Sequence, residues 1–130
     1  MKEFMLLIRN QAAEKDAMAS EQAKAFLKAC EAYIEQLNST GRLISAQPLA
    51  RQGTMLSGTR DAWQEGAYTD TTEVIVGYYH LLANDLEEAI ALAKDNPEFA
   101  FSQTARVEIR PVKTKEASTG FVYPGTPAHG

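Results

Sequence analysis

The stretch VIVGYYHLL, from Val74 to Leu82, decides the fold, because its β-branched and aromatic side chains are typical of a long central strand. A helical pattern follows at residues 85–94, in which Asp85 and Glu88 have the spacing of a capping box. Its expected buried stripe consists of Leu86, Ala89, Ile90 and Ala93. Residues 105–111 then alternate polar and apolar side chains with the period of a strand that has one wet face. The second half of the chain therefore predicts a strand–helix–strand unit.

The first half of the chain shows the same order of elements. Residues 3–9 form a continuous apolar run of strand length, which is typical of a central strand. Residues 20–40 carry an apolar stripe at helical spacing, with Ser20 as the expected N-cap and Gly41 as the residue that ends the helix. Residues 43–47 then predict a strand that Pro48 ends, since proline cannot donate to a ladder.

Between the two halves, residues 54–60 and 62–68 predict short strands of a meander whose pairing stays open. The element order is then β-α-β-(hairpin)-β-α-β, which is the α+β, ferredoxin-like arrangement with both helices on one face of the sheet. We assign this domain to residues 1–112. Residues 113–130 are expected to be either a flexible tail or an arm that contacts a partner.

The predicted sheet leaves one face uncovered, and that face carries half of the apolar first strand and one of the tyrosines Tyr78 and Tyr79. This is more apolar surface than a monomer normally exposes. A second copy of the chain is the simplest cover, so we expect a homodimer in which the two sheets face each other. Trp63, in the meander, is expected at a dimer contact, with a pocket lid as the alternative.

Length, charge and cysteine content exclude several classes of protein. The chain has 130 residues and a mass of 14.3 kDa, which suits one domain. Its 13 basic and 17 acidic residues give a net charge of -4, which argues against nucleic-acid binding. One cysteine excludes a disulfide framework, and we expect no metal site, no cofactor and no membrane span. These features favour a cytoplasmic protein, with Cys30 as an inert core thiol.

His80 is the candidate acid–base residue, since the only other histidine, His129, lies in the tail. Strand periodicity places it on one face with Val76, Tyr78 and Leu82. The competing interpretation is a hydrogen-bonded histidine in the wall of the barrel. Asp70 is its candidate carboxylate partner, but ten residues separate the two, so a pair requires a loop that folds back or a contact across the dimer.

Arginines at the strand ends are candidate ligand-binding residues. Arg106 and Arg110 share one face of the last strand with Glu108, and Arg9 ends the first strand. Guanidinium groups hold anions in a bidentate manner, so these side chains fit an anionic ligand, with Tyr78 orienting it. The alternative is a solvated face with internal Arg–Glu pairs.

Five segments taken together resemble the YCII-related, or DGPF-domain, family over about residues 3–113. They are Phe4–Ile8, Leu37–Gly41, Val76–Tyr79, Asp85–Ala89 and Val107–Val112. The resemblance implies a dimeric α+β barrel, a frequent association with sigma factors of the extracytoplasmic type, and in some relatives a His–Asp pair proposed as the active site. The chain departs from the family at Tyr68–Glu73, where Gly-Pro-Phe is absent and Asp70 matches either the Asp of the motif or an acidic residue just after it.

Two functions are consistent with these residues. In the first, a dimeric barrel binds a small anionic or aromatic molecule and performs acid–base chemistry without a cofactor. In the second, the chain is a non-enzymatic accessory or regulatory module, associated with a sigma factor, whose open face is a dimer interface. A water-reachable pocket with convergent polar groups would favour the first.

Overall fold

The computed structural model describes residues 1–12 and 18–125, in which a four-stranded sheet carries its helices on one face. The elements are β1 (Lys2–Gln11), α1 (Ser20–Ser39), β2 (Leu43–Pro48), β3 (Met55–Thr59), β4 (Ala62–Gly66), β5 (Glu73–Ala83), α2 (Leu86–Lys94), α3 (Glu98–Phe101) and β6 (Arg106–Pro111). A short 3-10 helix, Tyr68–Asp70, precedes β5.

The strands of the main sheet lie in the order β2-β5-β1-β6, and every neighbouring pair is antiparallel. Strands β1 and β2 therefore run in the same direction with β5 between them, and β5 and β6 do so with β1 between them. This is the split β-α-β order expected of a ferredoxin-like α+β fold. The predicted central strands are confirmed, since β1 and β5 are the two strands that are paired on both edges.

The two strands of the predicted meander form a separate hairpin, because β3 pairs with β4 and with no strand of the main sheet. Gly58 has φ 124°, and a Cβ there would lie 2.0 Å from the carbonyl oxygen of Ala62. Only glycine fits that position without backbone movement. Trp63 on β4 is 62% exposed, and Met55 and Leu56 on β3 are also exposed.

The core lies between the helices and one face of the sheet. On β1 the alternate residues Phe4, Leu6 and Ile8 are buried, and they cluster with Tyr33 and Leu37 of α1 and with Ala89 and Ala93 of α2. Both helices therefore cover the same face, as predicted. Leu86 and Ile90, expected in the buried stripe of α2, are exposed instead, because this helix packs on the sheet through its alanines.

The helix ends follow the sequence signals in part. The expectation for Ser20 is wrong, since Ala19 is the N-cap of α1 and no side chain caps it. Gly41 does end α1, with φ 72°. Asp85 caps α2 by accepting from the Glu88 amide at 2.8 Å, while the Glu88 carboxylate accepts from the amide of Asn84. None of the helices in the described part of the chain is long and apolar enough to cross a membrane.

After β6 the chain folds back on itself. Lys115 and Val122 form an isolated antiparallel bridge, and the rings of Phe121 and Tyr123 meet edge to face at 5.3 Å. Phe121 and Val122 remain exposed. Residues 126–130 of the predicted tail, with His129, lie outside the described residues.

Two tyrosines form the centre of the helix–sheet contact. The rings of Tyr33 and Tyr79 meet edge to face at 5.3 Å, and the Tyr33 hydroxyl donates to the carbonyl oxygen of Leu92 at 2.7 Å. Burial raises the pKa of the Tyr79 phenol to about 12, and it raises the pKa of Tyr33 as well. Both phenols are therefore kept neutral in the fold.

We expect the free energy of unfolding to decrease as the pH rises from about 10 to about 12. An unfolded tyrosine loses its proton near pH 10, whereas folded Tyr79 keeps it to a pKa of about 12, so proton loss favours the unfolded chain in this window. Urea unfolding at about pH 9 and about pH 11 measures the loss. Tyr79→Phe should lose less stability over this span than the wild type; an equal loss would contradict the assignment.

Candidate functional site

The sheet face opposite the helices, here called the open face, carries most of the predicted site residues. Strand register places the following side chains on it: Ser45 and Gln47 of β2; Tyr78, His80 and Leu82 of β5; Glu3, Met5, Leu7 and Arg9 of β1; and Arg106, Glu108 and Arg110 of β6. Val76, which was expected on this face, lies at a bulge and packs against the core instead.

The centre of the open face is a hydrogen-bonded contact between His80 and Glu3. The Nε2 atom of His80 lies 2.7 Å from Oε1 of Glu3, and the two side chains are only 17% and 5% exposed. In the β1–β5 register, Met5 is opposite His80 and Glu3 is opposite Leu82, so His80 and Glu3 are diagonal neighbours. A carboxylate held this close orients the imidazole and favours the tautomer with a proton on Nε2, which leaves Nδ1 able to accept one.

The backbone of Asp70 lies far from His80 along β5. The backbone of Asp70 belongs to the 3-10 helix before β5, and Glu73 to His80 spans roughly 23 Å of extended strand. Glu3 lies where Asp70 was expected, against the imidazole. Sequence reasoning missed Glu3 because it begins an apolar run, and no local pattern shows that β1 and β5 are neighbours. The pairing of Asp70 with His80 stays a prediction, which requires a contact across the dimer.

The predicted arginines lie together along one side of the open face, where carboxylates already contact them. The Nε and Nη2 atoms of Arg9 both lie 2.9 Å from Oε1 of Glu108. Arg110 approaches the other oxygen of Glu108 at 3.8 Å, and Arg106 approaches Glu73 at 3.5 Å. The guanidinium side chains of Arg106 and Arg110 are 75% and 69% exposed, so they remain accessible to an anion.

The two tyrosines of β5 point to opposite faces of the sheet. Tyr79 is buried among the helices, whereas Tyr78 faces the open side, where its hydroxyl accepts from the Ser45 hydroxyl at 3.2 Å. Tyr78 thus lies on the same face as His80, two residues before it, with its phenol held in place by β2. Its role in orienting a ligand stays a prediction.

The spacing of these groups suits a small molecule. His80 and Arg110 both lie opposite Met5, one on each neighbouring strand, so their backbones are separated by roughly 10 Å, which is two strand spacings. Both side chains project from the same face. A single ring with one acidic substituent can therefore reach the imidazole and a guanidinium group together.

Two of the concave regions in the described part of the chain are close to other predicted residues, and neither has His80 in its lining. A groove of about 410 Å³ is lined by Arg51, Tyr68 and Val74 among others, at the end of β5 where Asp70 is found. A cavity of about 250 Å³ lies between α1 and the sheet, and its lining includes Cys30. Cys30 is half-buried, so the expectation of a core thiol is only partly right. In residues 1–12 and 18–125, no group of three or more His, Cys, Asp or Glu side chains is placed to hold a metal ion.

A double-mutant cycle on Glu3 and His80 tests the contact between the two side chains. Because both groups are largely buried and in contact, we expect Glu3→Ala and His80→Ala to couple by about 1.5–3 kcal/mol in the free energy of unfolding. The matched control is Glu73→Ala with Arg106→Ala, a pair in which the arginine is exposed and for which we expect less than about 1 kcal/mol. A His80–Glu3 coupling no larger than that of the control would contradict the arrangement.

The fold and the sequence also match known proteins. The chain has the fold of a solved 5-chloro-2-hydroxyhydroquinone dehydrochlorinase from Burkholderia phenoliruptrix AC1100 in complex with 2,5-dihydroxybenzoquinone, with a TM-score of 0.54 and 14% identity over 85% of this chain and 93% of that one. No curated protein matches the sequence. The family model of the YCII-related domain matches residues 2–113, so the chain belongs to the YCII-related family.

Proposed function

We propose that this protein binds a small anionic or aromatic molecule on its open face and transfers a proton to or from it through His80. The observation that carries the proposal is the 2.7 Å contact between His80 Nε2 and the buried carboxylate of Glu3. An oriented imidazole beside a carboxylate is well suited to acid–base catalysis near neutral pH. The reaction needs no cofactor, because a proton is removed from one ligand atom and returned to another.

Each neighbouring group has a role in this proposal. Glu3 positions the imidazole and stabilises the imidazolium that forms when Nδ1 accepts the proton. Arg110 and Arg106 attract the negative charge of the ligand, since their guanidinium groups are highly exposed on this face. Tyr78 orients the ring of the ligand, with its hydroxyl held by Ser45. Arg9 acts on Glu108 and keeps that carboxylate from the ligand.

The proposed site is completed by a second copy of the chain. On one chain the open face presents Met5, Leu7 and Tyr78 only half-buried beside the polar groups. A second sheet packed against it would bury these side chains and close a space around His80, which would raise the strength of every electrostatic contact there. The partner would also offer a route for Asp70 to approach this face. We therefore propose a homodimer whose sheets face each other.

The ligand bound by a protein of similar fold favours a ring-shaped ligand for this one. The dehydrochlorinase of similar fold holds 2,5-dihydroxybenzoquinone, a small ring that carries acidic hydroxyl groups. A molecule of this kind has the size needed to reach from His80 to Arg110. We take that chemical class, a small ring with ionised oxygen substituents, as the proposed ligand class here.

A second candidate function rests on the internal ion pairs. Glu108 and Glu73 already contact all three predicted arginines. This pattern is typical of an interface whose charged groups are paired within one chain. In that case the chain is an accessory or regulatory module that acts through its dimer. The resemblance to relatives that accompany sigma factors suggests that this module is associated with a sigma factor. This module would form the dimer without binding a ring ligand.

Binding and proton exchange of 2,5-dihydroxybenzoquinone separate the two candidates. In D2O we expect the protein to accelerate exchange of the ring C–H protons, followed by NMR, and His80→Asn to lower that rate by about 10²–10⁴ while binding persists. Arg110→Ala should weaken binding roughly tenfold through the lost charge-assisted contact. The control is Arg60→Ala, in the exposed turn of the β3–β4 hairpin, which should change neither quantity. Full exchange in His80→Asn would refute the catalytic role, and an intact dimer with no binding would favour the module.

The oligomeric state is tested by analytical ultracentrifugation at micromolar concentration. We expect a dimer that Leu7→Glu dissociates, because the new charge would lie in the centre of the buried face. Leu86→Glu is the matched control, since Leu86 is 46% exposed on α2, and it should leave the dimer intact. A wild-type monomer would contradict the proposed assembly.

A further inference from the structure

The β3–β4 hairpin, here called the arm, stands apart from the main sheet. All ten residues of its two strands, Met55–Thr59 and Ala62–Gly66, are exposed, and neither strand pairs with β1, β2, β5 or β6. A two-stranded hairpin is at best marginally stable by itself in water. The described residues of its own chain leave the arm exposed, so it needs a further surface to pack against.

One side of the arm is an apolar ridge. In the strand register Trp63 is opposite Gly58 and Leu56 is opposite Glu65, so these four side-chain positions share one side. Trp63 and Leu56 are 62% and 56% exposed, and as diagonal neighbours they form one continuous apolar surface. Arg60, in the turn beyond both strands, is not part of the ridge.

The other side of the arm faces its own chain. Met55, Ser57 and Gln64 line a depression of about 220 Å³ together with Tyr68 and Thr71, next to the 3-10 helix. Residues on opposite sides of a two-stranded ribbon point in opposite directions. The ridge therefore turns away from the body of its own chain.

The arm lies at the end of the sheet away from His80. It leads through Tyr68–Asp70 into β5, whose first residue, Glu73, pairs with Gln11. His80 pairs with Met5, so six residues of β1, roughly 20 Å, separate the two levels. Each strand of the arm has five residues, a length of roughly 17 Å. The arm is therefore too short, and turned the wrong way, to cover the site of its own chain.

A second copy of the chain removes this restriction. If the strands of two stacked sheets run in opposite directions, the arm of each chain lies at the end of the partner sheet that carries His80. The tail begins at that end, since β6 ends at Pro111, which pairs with Phe4. Phe121 and Val122 of the tail are exposed there and offer the ridge an apolar surface.

Charge favours this orientation over the one in which the strands run in the same direction. The same direction would place two ridges together, with one Glu65 carboxylate near the other. The opposite direction brings Glu65 to the end where Arg110 and Lys113 are each 69% exposed. These cations contact Glu108 at 3.8 Å and Glu116 at 3.4 Å, and those contacts use fewer N–H donors than a guanidinium and an ammonium group carry. Opposite charges then meet across the interface, which fixes its register.

We propose that the arm of a second copy closes the His80 end of the open face, with Trp63 of the partner subunit as an aromatic wall of the site. The proposal rests on the homodimer of stacked open faces. An indole ring supplies a large flat surface on which a ring-shaped ligand can stack. Each site is then shared between two chains, with His80 from one chain and Trp63 from the other.

Replacement of Trp63 by alanine tests the contact. We expect Trp63→Ala to weaken dimerisation at least about tenfold in analytical ultracentrifugation, because a buried tryptophan is typical of the residues that dominate an interface. Binding of 2,5-dihydroxybenzoquinone should weaken as well. Gln64→Ala is the matched control, since Gln64 is exposed on the other side of the arm, and it should change neither quantity. Wild-type dimerisation in Trp63→Ala would overturn the proposal.

The orientation is tested by quenching in mixed dimers, since Trp63 is the only tryptophan of the chain. The wild-type chain is mixed with an excess of a chain that carries Trp63→Phe, Cys30→Ala and a nitroxide label at Arg110→Cys, so that quenching occurs only across the dimer. The matched control has the label at Arg106→Cys, which is 75% exposed on the same face of β6. That position is roughly 13 Å farther from the His80 end, so we expect the Arg110→Cys label to quench at least about twofold more.

The other outcomes separate the arm from the rest of the proposed function. Quenching that is equal for the two labels, or stronger from Arg106→Cys, would overturn the proposed docking of the arm. A dimer in which neither label quenches would overturn it too and leave the stacked sheets in place. A monomer would overturn both. Proton exchange at His80 is measured independently, so a wild-type protein without exchange would refute the catalysis and leave the quenching result intact.

Discussion

The pairing of β1 with a neighbour on each edge is the constraint on which the rest of the structure depends. Its contact with β5 places Glu3 beside His80, and its contact with β6 places Arg9 beside Glu108. The same strand sends Phe4, Leu6 and Ile8 into the core through the alternation of its side chains. A shift of the register by one residue would exchange these two sets, and the charged groups would then face the helices.

Burial of carboxylates is the second constraint, and it acts on both faces of the sheet. Glu3 is buried against His80, and Glu98 is buried on the helix side, where Asn10 donates to it. A buried carboxylate destabilises a fold unless its oxygens are hydrogen-bonded, so each of these groups needs its partners in place. Well-packed apolar residues of similar volume would stabilise the fold at least as well.

Local patterns predicted the elements well and the tertiary partners poorly. The central strand at Val74–Leu82, the helix after Asp85 and the alternating last strand are all present, because each depends on the periodicity of its own residues. The end of α1 at Gly41 was also predicted, whereas Ser20 does not cap its beginning. The stripe of α2 failed at Leu86 and Ile90, since the depth of a helix in its sheet depends on how closely Ala89 and Ala93 let it approach.

The sequence by itself determined the α+β fold, the family and the position of His80 and Tyr78 on one face of their strand. These features follow from the spacing of residues within single segments of the chain, and that spacing is read directly from the sequence. Only the tertiary structure decided that Glu3 contacts His80, and that Cys30, Ala46 and Gly77 line a cavity beside Glu98. Glu3 and His80 are 77 residues apart, and Cys30 and Glu98 lie on different elements, so these contacts depend on strand register and helix packing. No local sequence pattern predicts either of them, because both depend on which residues the whole sheet buries.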